Sequence, residues 1–214
     1  MKKIIGLITF LTLFTVSNVS FSQTDLSACT DYPTTDQTLN GLVKNLVGNI
    51  SQLDSKFSSI YFRLTPEEQH LAIIYMKNND RNLFQRFPQF EDIELKNGVA
   101  AIRAAYTAVL ARFRELYPNS SYDEQVQKTN SIIKCCAVKI ASEQFESGTN
   151  RIDPCSSARK NCLVSVVAQT TLMHIGCAAA DLTIIVGILC HSAVFAYQVS
   201  ESNICESDYK NCKG

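Results

Sequence analysis

Cys155-Ser-Ser-Ala-Arg-Lys-Asn-Cys162 and Cys205-Glu-Ser-Asp-Tyr-Lys-Asn-Cys212 are two copies of one phrase, each with Ser at the third place and Lys-Asn before the second Cys. Seven residues make two helical turns, so both thiols of a copy fall on one helix face, about 10 Å apart along the axis. That exceeds the reach of a disulfide, so each copy must find partners elsewhere. Two such helices side by side permit a two-rung ladder: Cys155 with Cys205 and Cys162 with Cys212 if parallel, or the crossed pairing if antiparallel. A helix, a return helix and a third helix would make the outer two parallel, so the first pairing is expected.

The rest of the chain is also helical in pattern. Leu39, Leu42, Val43, Leu46, Ile50, Leu53, Phe57 and Ile60 recur at steps of three and four, one buried stripe. Thr65-Pro66-Glu67-Glu68 reads as a capping box with Pro in the first turn, starting a helix to about Asn78. A short helical piece around Arg81 to Phe87 should stop at Pro88. From about Glu91 to Tyr117 the set Val99, Ile102, Tyr106, Val109, Leu110, Phe113 and Leu116 keeps the helical period, and Pro118 ends it. Ser121-Tyr122-Asp123-Glu124 offers a second capping box, for a helix with Val126, Ile133, Cys136, Ala137 and Ile140 inside, ending at Gly148. Asp153-Pro154 caps the next. No stretch alternates long enough for a sheet, so the fold class expected is all-α: a helical bundle with a disulfide-stapled C-terminal helical hairpin region.

Composition changes after Cys162. From Leu163 to Val199 the only formally charged residue is Asp181. Two helices joined near Gly176 and a third short helix begun by Ser202 are expected. The polar link Gly148 to Asp153 then divides a cysteine-poor helical region, 23–148, from a cysteine-rich apolar helical region, 149–214. Residues 1–22 read as a secretory signal peptide: Lys2 and Lys3, an apolar run from Ile4 to Val16, and Ser20-Phe21-Ser22 before Gln23. Cleavage there would leave 18 basic and 20 acidic residues, a formal charge of −2. Such a chain lacks the concentrated basic surface that nucleic acid requires. At 46% hydrophobic and 19% charged residues the composition is that of a folded protein rather than a disordered one.

All nine cysteines follow residue 22, and an exported chain meets oxidising surroundings, periplasmic or extracellular. Nine is odd. Cys177 and Cys190 cannot meet if they share one continuous helix, and a bond between the adjacent Cys135 and Cys136 would be strained. Candidate bonds therefore join Cys135 or Cys136 to Cys177 or Cys190, which leaves Cys29 as the candidate free thiol.

His174, Cys177 and Asp181 fall at i, i+3 and i+7, superficially a base, a thiol and an orienting carboxylate on one face. Oxidising surroundings would turn such thiols into disulfides, and no Cys-x-x-Cys pairing supports zinc, so neither a catalytic residue nor a metal or other cofactor is assigned. Cys190 and His191 are adjacent and should point apart; His70 reads as a surface residue. No phosphate loop, Gly-x-Ser-x-Gly elbow or His-Glu-x-x-His helix is present. The sharper feature is Cys177 to Val199, 23 residues with one Asp and one His, long enough to span a bilayer or to form a core helix. A membrane or a protein partner is expected to act through 177–199.

The cysteine-bracketed, Ala/Ile/Val-rich region ending in Cys-x6-Cys resembles halocin-type cysteine-rich bacteriocin domains, although the inner cysteine intervals here are longer. Phe57-Ser-Ser-Ile-Tyr-Phe-Arg-Leu-Thr-Pro-Glu-Glu-Gln69 is similar to the helical part of secreted proteins related to the bacteriocin fulvocin. The two resemblances cover 57–77 and 155–212. The signal peptide, the repeated Cys-x6-Cys and the nearly uncharged stretch between the copies point to an exported, non-enzymatic, disulfide-stabilised interaction module, and the resemblances imply a bacteriocin-like, membrane-active one; the alternative is a periplasmic or extracellular structural or adaptor protein without membrane activity.

Overall fold

The computed structural model describes residues 36–146, 153–180 and 183–214. Among these every regular element is helical: α1 (Gln37–Tyr61), α2 (Pro66–Lys77), α3 (Asn82–Arg86), a 3-10 turn (Pro88–Glu91), α4 (Ile93–Leu116), α5 (Tyr122–Glu146), α6 (Pro154–Ala179) and α7 (Ile184–Lys213). The expected signal peptide, Gln23 and Cys29 lie outside the described residues, as do Gly148 and Asp181.

Local chemistry accounts for the starts. The Asp36 carboxylate accepts from the Leu39 backbone N–H at 2.6 Å and opens α1. Thr65 and Glu68 close the capping box of α2, at 3.3 Å from the Glu68 N–H and 3.0 Å from the Thr65 N–H. Ser121 and Glu124 repeat that arrangement before α5. Asp92 caps α4 and Asp153 caps α6. Asn79, just past α2, takes a φ of 50°, the left-handed conformation that Asn tolerates better than other side-chain-bearing residues.

Buried positions of α1, namely Leu39, Val43, Leu46, Val47, Ile50, Leu53, Phe57 and Tyr61, follow the apolar stripe, with Leu42 and Ile60 at its margin. The main core draws on all seven helices. Within it Phe195 of α7 stacks on Phe57 at 5.6 Å and meets the edge of Tyr61 at 5.8 Å, and Phe90 also stacks on Phe57, at 6.3 Å. Helices α1 and α4 run antiparallel, tied by Asp36 to Arg112 at one end and Lys56 to Glu94 at the other. Helix α7 lies against α2 and α4, and α6 against α5.

Two expectations about the C-terminal region change. The chain does not break at Gly176, which stays inside α6; the turn comes between Ala179 and Ile184. A helical Gly costs only about 1 kcal/mol, and neighbouring Ile175 and Cys177 are buried, so packing carries the helix through. The Thr183 hydroxyl, accepting from the Val186 N–H at 3.4 Å, starts the next helix. Ser202 begins nothing, because it lies within the 30-residue α7. The region is one two-helix hairpin, and the apolar segment 177–199 is the end of α6, a turn and the first half of α7.

Candidate functional site

With only two helices the copies of the cysteine phrase are antiparallel, and the ladder is the crossed one. Cys155 bonds to Cys212 and Cys162 to Cys205, both with Cα atoms 5.8 Å apart. The expected parallel pairs, Cys155 with Cys205 and Cys162 with Cys212, are thereby replaced. The turn also brings together Cys177 and Cys190, Cα atoms 5.7 Å apart, which could not have met on one continuous helix. Neither therefore bonds to Cys135 or Cys136. Cys135 is disulfide-bonded, and Cys136 is buried in the main core, outside these three bridges.

One register runs the length of the hairpin. At the open end Asp153 meets Lys213, then Cys155 meets Cys212, Arg159 meets Glu206 at 2.6 Å, Cys162 meets Cys205, His174 meets His191, and Cys177 meets Cys190 beside the turn. Advancing 24 residues along α6 thus moves the partner back 23 along α7. At 1.5 Å per residue the paired length is about 36 Å. Lys213 holds the Asp153 carboxyl below the usual carboxylate range, and the Arg159 guanidinium lies 5.1 Å over the Tyr209 ring. Both hairpin helices are long and apolar enough, by length and composition, to cross a membrane, and half of each apolar window is buried within the fold.

Inside the hairpin the polar groups are few. Thr170, Thr171 and Ser192 satisfy their hydroxyls on carbonyls three or four residues back. His174 and His191 have no such recourse. They are 0% and 1% exposed, stacked with ring centroids 4.9 Å apart, and their Nδ1 atoms are 2.6 Å apart. That separation requires one Nδ1 to donate and the other to accept. On its far side His174 Nε2 is 3.0 Å from Asp54 Oδ1 of α1, at ion-pair distance although not aligned as a hydrogen bond. Burial, then the neighbouring His174, then Arg103 of α4 push the His191 imidazole well below its ordinary value, keeping it neutral.

The i, i+3, i+7 face read from the sequence is not assembled as such: Cys177 is in a bridge, His174 turns to His191 and Asp54, and Asp181 lies outside the described residues. The histidine pair was legible only through the Cys177–Cys190 bond, since a hairpin closed there sets the residue one turn before Cys177 against the turn that follows Cys190. His70 is an exposed residue of α2. Among the described residues no group of three or more His, Cys, Asp or Glu is placed to hold a metal ion. Two imidazole nitrogens sharing zinc at about 2.0–2.1 Å would stand about 3.3 Å apart, wider than this pair. No protein-family model, curated protein or solved structure matches the chain.

Proposed function

We propose that this is an exported, non-enzymatic, disulfide-stabilised helical protein whose α6–α7 hairpin is a bacteriocin-like membrane-active module. One observation carries the reading: all six cysteines of the hairpin bond within it. Two helices with the length and composition of membrane spans thus form one closed covalent unit, with no disulfide to the helices around it. Each helix holds an apolar stretch of 18 residues, about 27 Å at 1.5 Å per residue, against a hydrocarbon core of roughly 30 Å. Three bridges fit the oxidising surroundings of an exported chain, periplasmic or extracellular. The non-enzymatic part is supported by the state of the reactive side chains: Cys177 and Cys190 are oxidised together, and the histidines are sealed from any substrate.

The test is dye release from anionic and zwitterionic vesicles by the oxidised full chain, beside growth inhibition over a broad bacterial panel. Release supports the module; no release and no inhibition reject it.

A second reading, a structural or adaptor protein, is favoured by the covering of the hairpin. From Leu163 to Ser202 every described position is buried or half-buried except Ala179, Thr183 and Ile185 by the turn. It predicts an intact hairpin that never leaves its place, and a specific protein partner recovered by cross-linking in the exported fraction without vesicle leakage.

A further inference from the structure

The hairpin is attached to the surrounding helices without a disulfide, yet its buried histidines meet ionisable side chains of those helices. Asp54 of α1 meets His174 of α6 at 3.0 Å, and His174 meets His191 of α7 through the two Nδ1 atoms at 2.6 Å. We propose that the Asp54–His174–His191 chain is an acid-sensitive latch that holds the hairpin in the bundle while at least one imidazole is neutral and releases it when both are protonated. This rests on the hairpin being the working element, and it supplies that element's regulation.

A neutral pair is satisfied when one ring donates from Nδ1 and the other accepts. One added proton is accommodated: the two rings still share a single Nδ1–H between them, and the Asp54 carboxylate, 3.0 Å from His174 Nε2, offsets the added charge. A second proton has no place. Two Nδ1–H groups would point at each other across 2.6 Å in a site 0–1% exposed, two like charges without water. The charged groups acting from outside the pair are Asp54 of α1 and Arg103 of α4. The first can compensate one cation, and the second opposes any cation on His191. Helices α2 and α5, also packed on the hairpin, contribute no charge among those acting on His191.

Once the hairpin leaves, the His191 ring meets water and returns toward the ordinary histidine value of about 6.5, so the open form binds about one proton more than the closed form. The folded value of His191 lies below the open one, so this contribution is fully present above about pH 6.5 and is lost as pH falls below it. The opening constant then rises about tenfold per pH unit below about 6.5, well above the range where carboxylates titrate.

The experiment uses the oxidised full chain. Amide hydrogen exchange of α6 and α7 is followed by mass spectrometry from pH 7.5 to 5.0 for wild type and His191→Asn. Asn offers an amide N–H near the Nδ1 position and does not titrate. Taking the ratio of the two proteins cancels the intrinsic pH dependence of exchange. The expected ratio rises about tenfold per unit below about pH 6.5, and His70→Gln, on the exposed face of α2, leaves the rise unchanged. A flat ratio overturns the latch. If His191→Asn does not fold, urea unfolding of the wild type alone decides: loss of stability from pH 7.5 to 5.0 with a slope near one proton supports it, and a constant midpoint overturns it. Vesicle leakage at pH 7.5 and 5.5 separates the two proposals. Acid-dependent exchange without leakage keeps the latch and removes the membrane module, whereas leakage with a flat exchange ratio removes the latch alone.

Discussion

Arg112, near the C-terminal end of α4, grips Asp36, the N-cap of α1, through Nη2 at 2.7 Å and Nε at 3.3 Å. The same carboxylate accepts from the Leu39 N–H, so one side chain both starts α1 and fixes it to α4. The Arg112 hydrogen bonds, then that of Leu39, hold the Asp36 carboxyl below its ordinary value. Its contribution to stability is therefore present above about pH 3.8 and is lost as pH falls further. Arg112→Met is expected to lower the thermal midpoint at pH 7, with the gap to wild type narrowing as pH falls below the ordinary carboxylate range and Asp36 protonates. Circular dichroism melts at pH 7 and below that range check this, and an equal gap at both would refute it.

Non-reducing peptide mapping should recover Cys155 with Cys212, Cys162 with Cys205 and Cys177 with Cys190. A peptide joining Cys155 to Cys205 would require parallel helices and would overturn the hairpin. The bridges are nested, which sets their energetic weight. Sequence separations of 57, 43 and 13 residues suggest unequal loops. With the next bridge in place, however, Cys155–Cys212 closes only seven residues on each strand. Removing it as a Cys→Ser pair should then cost about 3 kcal/mol, close to the value for Cys177–Cys190, rather than the roughly 4 kcal/mol of an isolated long loop. Guanidinium unfolding of the two double variants compares them.

Two glycines of the hairpin should respond in opposite senses to alanine. At Gly176 an added methyl meets nothing within 4 Å, so Gly176→Ala should stabilise by about 0.5–1 kcal/mol. At Gly187 the methyl would sit 2.8 Å from Val99 Cγ1 of α4. Valine in a helix has one strongly preferred rotamer and cannot turn aside, so Gly187→Ala should destabilise by about 1–3 kcal/mol. Denaturant midpoints decide both.

Caps and apolar stripes made the fold class readable, because they act within one turn of chain: Thr65 with Glu68, Ser121 with Glu124, and Asp153 each mark a start. The turn between α6 and α7 was not readable, because Gly176 carries a stronger local break signal than Thr183 and packing reversed their roles. The misplaced turn shifted the register, and the break expected at Ser202, which lies inside α7, added a helix and with it gave the ladder the wrong sense. The His174–His191 contact lay hidden for the same reason, since residues 17 apart in sequence meet only if the chain reverses between them.

Polar and apolar contacts of the hairpin should also separate in size. Phe195→Ala removes a buried ring that touches Phe57 and Tyr61 and is expected to cost about 3–5 kcal/mol. Arg159→Ala breaks the pair with Glu206, whose side chains are 41% and 36% exposed, and should cost less than about 1 kcal/mol. Thermal and chemical unfolding of the oxidised protein measure both; equal losses would mean that the open end of the hairpin, not its middle, carries the fold.

The closure of all six hairpin cysteines among themselves also bears on the order of assembly. The three bridges span at most 57 residues of chain and use no cysteine of α1 to α5, so the hairpin can close covalently on itself without being docked. A hairpin that has oxidised before it docks is a topologically finished piece with both long apolar helices uncovered. Uncovered apolar surface of that kind is prone to aggregation, and the helices that precede the hairpin in the chain supply the core residues that cover it.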